Sequence, residues 1–146
     1  MNKVTEIHPS CQIAIWLENP DGKYVKTLFV SEYLSYGGFS KSEICPDWSG
    51  KANWNHTSRE NIDAATGATP STGDIHFKFH CSEETIPQGV YIYMIEVHLI
   101  ENYNELYKGK IEIGKKKNES PASVIYLPEK FLKEGNILSQ IKVKVH

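Results

Sequence analysis

No apolar run in this chain approaches the length of a membrane span, so direct membrane insertion is not expected. Lys+Arg total 16 against Asp+Glu 18, for a formal net charge of −2, and the only cationic run is "GKKKN" at 114–118. Phosphate backbones demand clustered positive charge, so nucleic acid is not an expected partner. Cys11, Cys45 and Cys81 form no C-x-x-C pair, which leaves a structural zinc site without ligands. One disulfide with a leftover thiol stays open. G-x-S-x-G is absent, no cysteine carries an activating pattern, and "YGGF" lacks the Lys of a phosphate loop. Glu83 and Glu84 are adjacent and read as solvated turn residues. His76 and His80 stand four apart, which along a strand separates them by about 13 Å. They and His98 and His146 read as partly exposed strand residues rather than metal ligands. The start, "MNKVTEIHPS", lacks the apolar stretch of a signal peptide.

What the chain does contain is β-pattern. Residues 11–18, "CQIAIWLE", alternate with period two: Ile13, Ile15 and Leu17 point one way, and Gln12, Ala14, Trp16 and Glu18 the other. "NPDG" supplies a tight turn, and "KYVKTLFV" at 23–30 returns as the second arm of a hairpin. Further strands are expected at 75–81, 90–100, 105–114, 122–127 and 138–146. A set of about seven strands without βαβ alternation predicts an all-β fold, an antiparallel immunoglobulin-like β-sandwich. One domain, 1–146, is expected, with Ile13, Ile15, Leu17, Val25, Leu28, Phe77, Phe79, Tyr91, Tyr93, Ile95, Val97, Ile111, Ile113, Val124, Ile125, Ile141 and Val143 in its core.

Residues 31–74 sustain neither period and form a long irregular insertion, with short helices plausible at 41–44 and 57–65. A segment this long without regular structure is usually functional, and its expected place is one end of the sandwich. Tyr33, Tyr36, Phe39, Trp48 and Trp54 are concentrated there. Exposed on loops, Tyr36, Phe39, Trp48 and Trp54 would be ligand-contact aromatics able to stack on sugars or flavin rings. The plainer reading makes them a secondary core.

"IAIWLENPDGKYVKTLFVSEY", "GG", "PDW", "DAATGATPSTG" and "IPQGVYIYMIEVH", in that order, resemble a bacterial family of predicted periplasmic proteins, domain-of-unknown-function family 2271. The last block is also similar to the immunoglobulin-like module of flagellar hook-capping proteins. The resemblance implies an exported domain, its leader removed and replaced by Met1, and a link to PepSY-type membrane proteins.

"DAATGAT" further resembles the acceptor motif of flavin transferases, Asp-x-x-Ser/Thr-Gly-Ala-Thr/Ser, to which FMN is joined through a phosphoester. Carried over, Asp63 is the leading acid, Thr66 the first hydroxyl, Gly67 and Ala68 the small pair, and Thr69 the acceptor. Gly67 can adopt a positive φ, while Pro70 restricts Thr69. The plainer reading is a turn-rich connector in which Asp63 caps backbone N–H groups and Gly67 supplies a turn. The resulting expectation is a periplasmic, non-enzymatic accessory domain with FMN on Thr69, served by a flavin transferase and a PepSY-type partner. The alternative is an immunoglobulin-like binding module for an envelope protein or glycan.

Overall fold

The structure, a computed structural model, describes residues 12–41, 44–67, 86–98 and 104–114, and the backbone of 118–121, 123–126 and 142–145. The expected strand at 75–81, with Phe77, Phe79, His76 and His80, lies outside the described residues. So do Cys11, Cys81, Glu83, Glu84, Ile141 and His146, and the side chains of Val124, Ile125 and Val143.

The hairpin forms as expected. β1 (Gln12–Glu18) and β2 (Tyr24–Ser31) pair antiparallel. Asn19 organises the turn: its Oδ1 accepts from Asp21 N and Lys23 N at 3.0 Å each. Gly22 takes φ 87°, a left-handed value that a side chain would oppose. On its other edge β1 pairs with β4 (Gly89–His98), which pairs with β5 (Asn104–Ile113), and that with β7 (Ser123–Tyr126). β6 (Asn118–Pro121) and β8 (Lys142–Val145) form a separate two-stranded sheet.

The fold is mainly β rather than all-β. Residues 32–65 hold three short helices, α1 (Glu32–Ser35), α2 (Pro46–Ala52) and α3 (Arg59–Ala65), and two 3₁₀ turns. α3 falls where a helix was expected at 57–65; α2 was not foreseen. The segment is a crossover. It delivers the two-residue strand β3 (Thr66–Gly67) parallel to β2, at the edge of a sheet ordered β3-β2-β1-β4-β5-β7. Parallel neighbours need such a connection, because a tight turn cannot return the chain in the same direction.

That crossover lies across one face of the sheet, not at one end. All seven residues of β1 are buried, so both of its faces are covered. On one side Ala14, Trp16, Val30, Met94 and Leu106 pack with Leu34, Ile44, Cys45, Trp48, Ala52, Trp54 and Ala65 of the crossover. On the other, Ile13, Ile15, Leu17, Phe29, Ile86, Tyr91, Tyr93, Ile95, Val97, Tyr107 and Ile111 form a second cluster. The physical reason is Trp16, Met94 and Leu106, which would otherwise face water at roughly 1.5–3 kcal/mol each. Trp48 and Trp54 supply the covering surface.

Two buried carboxyls fix the crossover in place. Glu96 of β4 caps the start of α2, accepting from Trp48 N at 2.7 Å and Asp47 N at 3.1 Å. Ala14, opposite Glu96, has too small a side chain to obstruct that reach. Glu18 of β1 accepts from Lys51 Nζ in the last turn of α2 and from Trp16 Nε1, both at 2.7 Å. One carboxyl therefore holds each end of the helix, Glu96 through the first-turn amides and Glu18 through Lys51. Burial, and then the Asp47 side chain, push the Glu96 carboxyl up to about 8, against the pull of the Trp48 and Asp47 amides.

Between its ordinary 4.5 and about 8, folded Glu96 therefore retains a proton that the unfolded chain releases. The stability this proton contributes is complete below the lower value and is lost as pH rises through the upper one. Urea midpoints from pH 5 to pH 9 should fall more steeply in the wild type than in Glu96→Gln. Parallel profiles would contradict the assignment.

Candidate functional site

The described part of the "DAATGAT" motif, Asp63 to Gly67, sits where α3 runs into edge strand β3. Ser58 starts the helix, its Oγ accepting from Asn61 N at 3.2 Å, an ordinary N-cap. Asp63 lies inside α3 and does not cap backbone N–H groups as expected. Its Oδ1 accepts from the Tyr36 hydroxyl at 2.9 Å and stands 3.5 Å from Arg59 Nε. The Arg59 and Asp63 side chains are 82% and 55% exposed, so that ion pair contributes no more than about 0.5 kcal/mol. The hydrogen bond to Asp63 raises the Tyr36 phenol above its ordinary value, opposed by the nearby Thr66 hydroxyl.

Thr66 is committed to the scaffold. Its Oγ1 donates to Ile62 O at 2.5 Å, so Ser35 Oγ must be the donor in the 2.5 Å bond between the two hydroxyls. Gly67 is required for a reason the sequence did not reveal. It has no left-handed φ; instead, a Cβ there would stand 2.4 Å from Phe29 Cε1. The edge strand approaches β2 closely because that side chain is missing. Ala68 and Thr69 lie outside the described residues.

The aromatic set divides. Trp48 and Trp54 are buried, with ring centroids 5.3 Å apart at 58°. Their indole N–H groups donate to Thr27 Oγ1 at 3.0 Å and Ser35 O at 3.1 Å. As core residues with both polar handles engaged, they are not surface ligand contacts, which corrects that expectation. Phe39 is half-buried against the same cluster. Tyr36 stays exposed, and so does Tyr33.

A buried polar row was missed. Gln12, His98 and Asn104 face one another across β1, β4 and β5. Asn104 Oδ1 receives Cys45 N at 3.0 Å and lies 3.1 Å from His98 Nδ1. His98 is thus buried rather than partly exposed. Burial, then the Glu96 and Asp47 carboxyls, push the Cys45 thiol well up. Among the described residues no cluster of His, Cys, Asp and Glu is arranged to hold a metal ion. The legible signal was "IEVH", charge and imidazole inside an apolar strand.

A mainly-β domain with a helical crossover and a small-residue motif at the sheet edge is the class these features define. The chain belongs to the family described as predicted periplasmic protein, DUF2271, whose family model matches residues 3–126. Its periplasmic location follows from that membership. Among the described residues no helix is long and apolar enough to cross a membrane. No curated protein and no solved structure matches the chain.

The close approach at Gly67 is testable by itself. Gly67→Ala should cost about 1–3 kcal/mol by overpacking, and Phe29→Leu in the same chain should recover part of that loss. Additive effects of the two changes in urea denaturation would show that no such contact exists.

Proposed function

We propose that this periplasmic domain is a non-enzymatic accessory domain that carries FMN covalently on Thr69 and serves extracytoplasmic electron transfer. One observation supports the reading: the middle of the motif, Thr66 and Gly67, is fixed to the scaffold. Thr66 has its hydroxyl engaged twice and Gly67 is seated on the edge strand. Thr69 follows two residues later in the chain. Of the two motif hydroxyls, Thr66 is engaged by the scaffold, and Thr69 is the one that the resemblance makes the acceptor.

Attachment requires a flavin transferase, with FAD and a divalent cation. Thr69 Oγ1 attacks the FMN-side phosphorus of FAD and forms the phosphoester bond. The P–O bond to the adenylate breaks, AMP departs with the electron pair, and the hydroxyl proton passes to a base of the transferase. Once attached, the flavin supplies electron transfer, and a PepSY-type membrane protein is the electron partner of this reading. The fold under the proposal is an immunoglobulin-like sandwich. Its support is the buried cluster on the face opposite the crossover, which needs a covering layer.

Co-expression with a flavin transferase should add the mass of one FMN less water. Thr69→Ala should abolish the adduct and Thr66→Ala should weaken it through the scaffold. An unmodified chain, or an adduct unchanged in Thr69→Ala, would overturn the carrier. Recognition of an envelope protein or glycan through the exposed tyrosines would then take its place.

A further inference from the structure

Tyr33 and Tyr36 are 46% and 53% exposed, on α1 and at its C-cap, while the two residues between them are buried. Leu34 packs in the crossover cluster. Ser35 is held from both sides, its carbonyl accepting from Trp54 Nε1 and its hydroxyl donating to Thr66. So fixed, α1 presents two phenol rings at i and i+3, with Cβ atoms about 5–6 Å apart. Tyr33 rests on Gly38, where a Cβ would come within 2.6 Å of its ring. The glycine gives that side of the ring a seat and leaves the other to water. Tyr36 is fixed at its tip, by the hydroxyl it donates to Asp63 at 2.9 Å. Rings immobilised before any contact lose little entropy on receiving a ligand, which is what makes rigid tyrosines effective contact residues.

Polar groups stand beside the rings. Both contacts of the Asp63 carboxylate fall on Oδ1, from the Tyr36 hydroxyl and from Arg59 Nε at 3.5 Å. Among the described residues, Asp63 Oδ2 and the terminal nitrogens of Arg59 have no partner. A carboxylate acceptor next to guanidinium donors matches a vicinal diol, in which each hydroxyl both donates and accepts. The exposed charges of α1 and α3 are Glu32, Glu60 and Asp63 against Arg59 alone, a balance that disfavours phosphate, sulfate and acidic chains. A protein interface of ordinary size has an apolar centre depleted of charge, and two tyrosines set among these side chains do not make one. We propose that Tyr33 and Tyr36 form the stacking platform of a site for a neutral β-linked glucoside chain, with Arg59 and Asp63 binding its hydroxyls. A pyranose whose hydroxyls are all equatorial shows only C–H on its two faces, and these settle on the electron-rich faces of the phenol rings. The site stands independently of the carrier reading.

The test titrates the full chain, without flavin, with cellotriose and follows its amides by NMR. Amides of 32–38 and 59–63 should shift saturably, with a Kd on the order of 1 mM, because an open platform covers only one face of the ligand. Tyr33→Ala, Tyr36→Ala and Arg59→Ala should each weaken binding several-fold, and Tyr36→Trp should retain it. All three positions are exposed, so amide shifts elsewhere in the variants should match those of the wild type and exclude unfolding as the cause. Sorbitol, which carries the hydroxyls without the ring, should produce no shift. The absence of a saturable shift with cellotriose, an affinity unchanged in Tyr36→Ala, or an equal response to sorbitol overturns the site. None of these outcomes bears on FMN attachment, which is read separately by mass.

Discussion

Glu96 is the anchor on which the arrangement of this domain depends. Its carboxyl is withdrawn from water on a central strand, and the Trp48 and Asp47 amides are its main compensation. An unsatisfied carboxyl or amide in that position would cost about 1–3 kcal/mol, and more if charged. The chain therefore cannot separate α2 from β4 without exposing both to water. Glu18 repeats the device on β1 with Lys51. Between the two, Trp48 closes over the sheet and donates to Thr27.

From that anchor, contacts lead without a break to the motif. Glu96 fixes Trp48, Trp48 packs on Trp54, and Trp54 donates to the carbonyl of Ser35. The Ser35 hydroxyl in turn donates to Thr66. The edge strand is thus held through the crossover core and not by strand pairing alone, which consists of Val30 with Thr66 and Ser31 with Gly67. A two-residue parallel strand would fray by itself. Here the packed crossover holds it, and the residues of the motif that follow leave from a defined point. Thr66 belongs to the packing of that edge, its hydroxyl engaged by both Ser35 and Ile62.

How much of this the sequence disclosed depends on whether the deciding contact was local. The β1–β2 hairpin was legible because alternation and the turn chemistry of Asn19 to Gly22 agree within one short stretch. β4 and β5 were legible for the same reason, and a short helix was expected at 57–65, where α3 forms. The burial of Gln12, Ala14, Trp16 and Glu18 was not, because a strand face ending in Gln and Glu reads as solvated. Only the distant crossover buries it. Trp48 and Trp54 posed the same difficulty in reverse, since an aromatic in an irregular segment reads equally as binding surface or as core. At Gly67 the residue type was informative but its cause was not. Close approach of Phe29, rather than a left-handed turn, is visible only once β2 and β3 are side by side. In the motif, "DAATGAT" drew attention to Asp63 and Thr66. The Tyr36 and Ser35 side chains that hold them come from 27 and 31 residues away.

The central claim is that Glu96 organises the crossover and, through it, the edge strand. Native-state hydrogen exchange on Glu96→Ala tests it most directly. The account predicts that amides across 46–67 lose protection together while those of β1 and β4 retain theirs. Amides of 46–67 that stay as protected as in the wild type would contradict it.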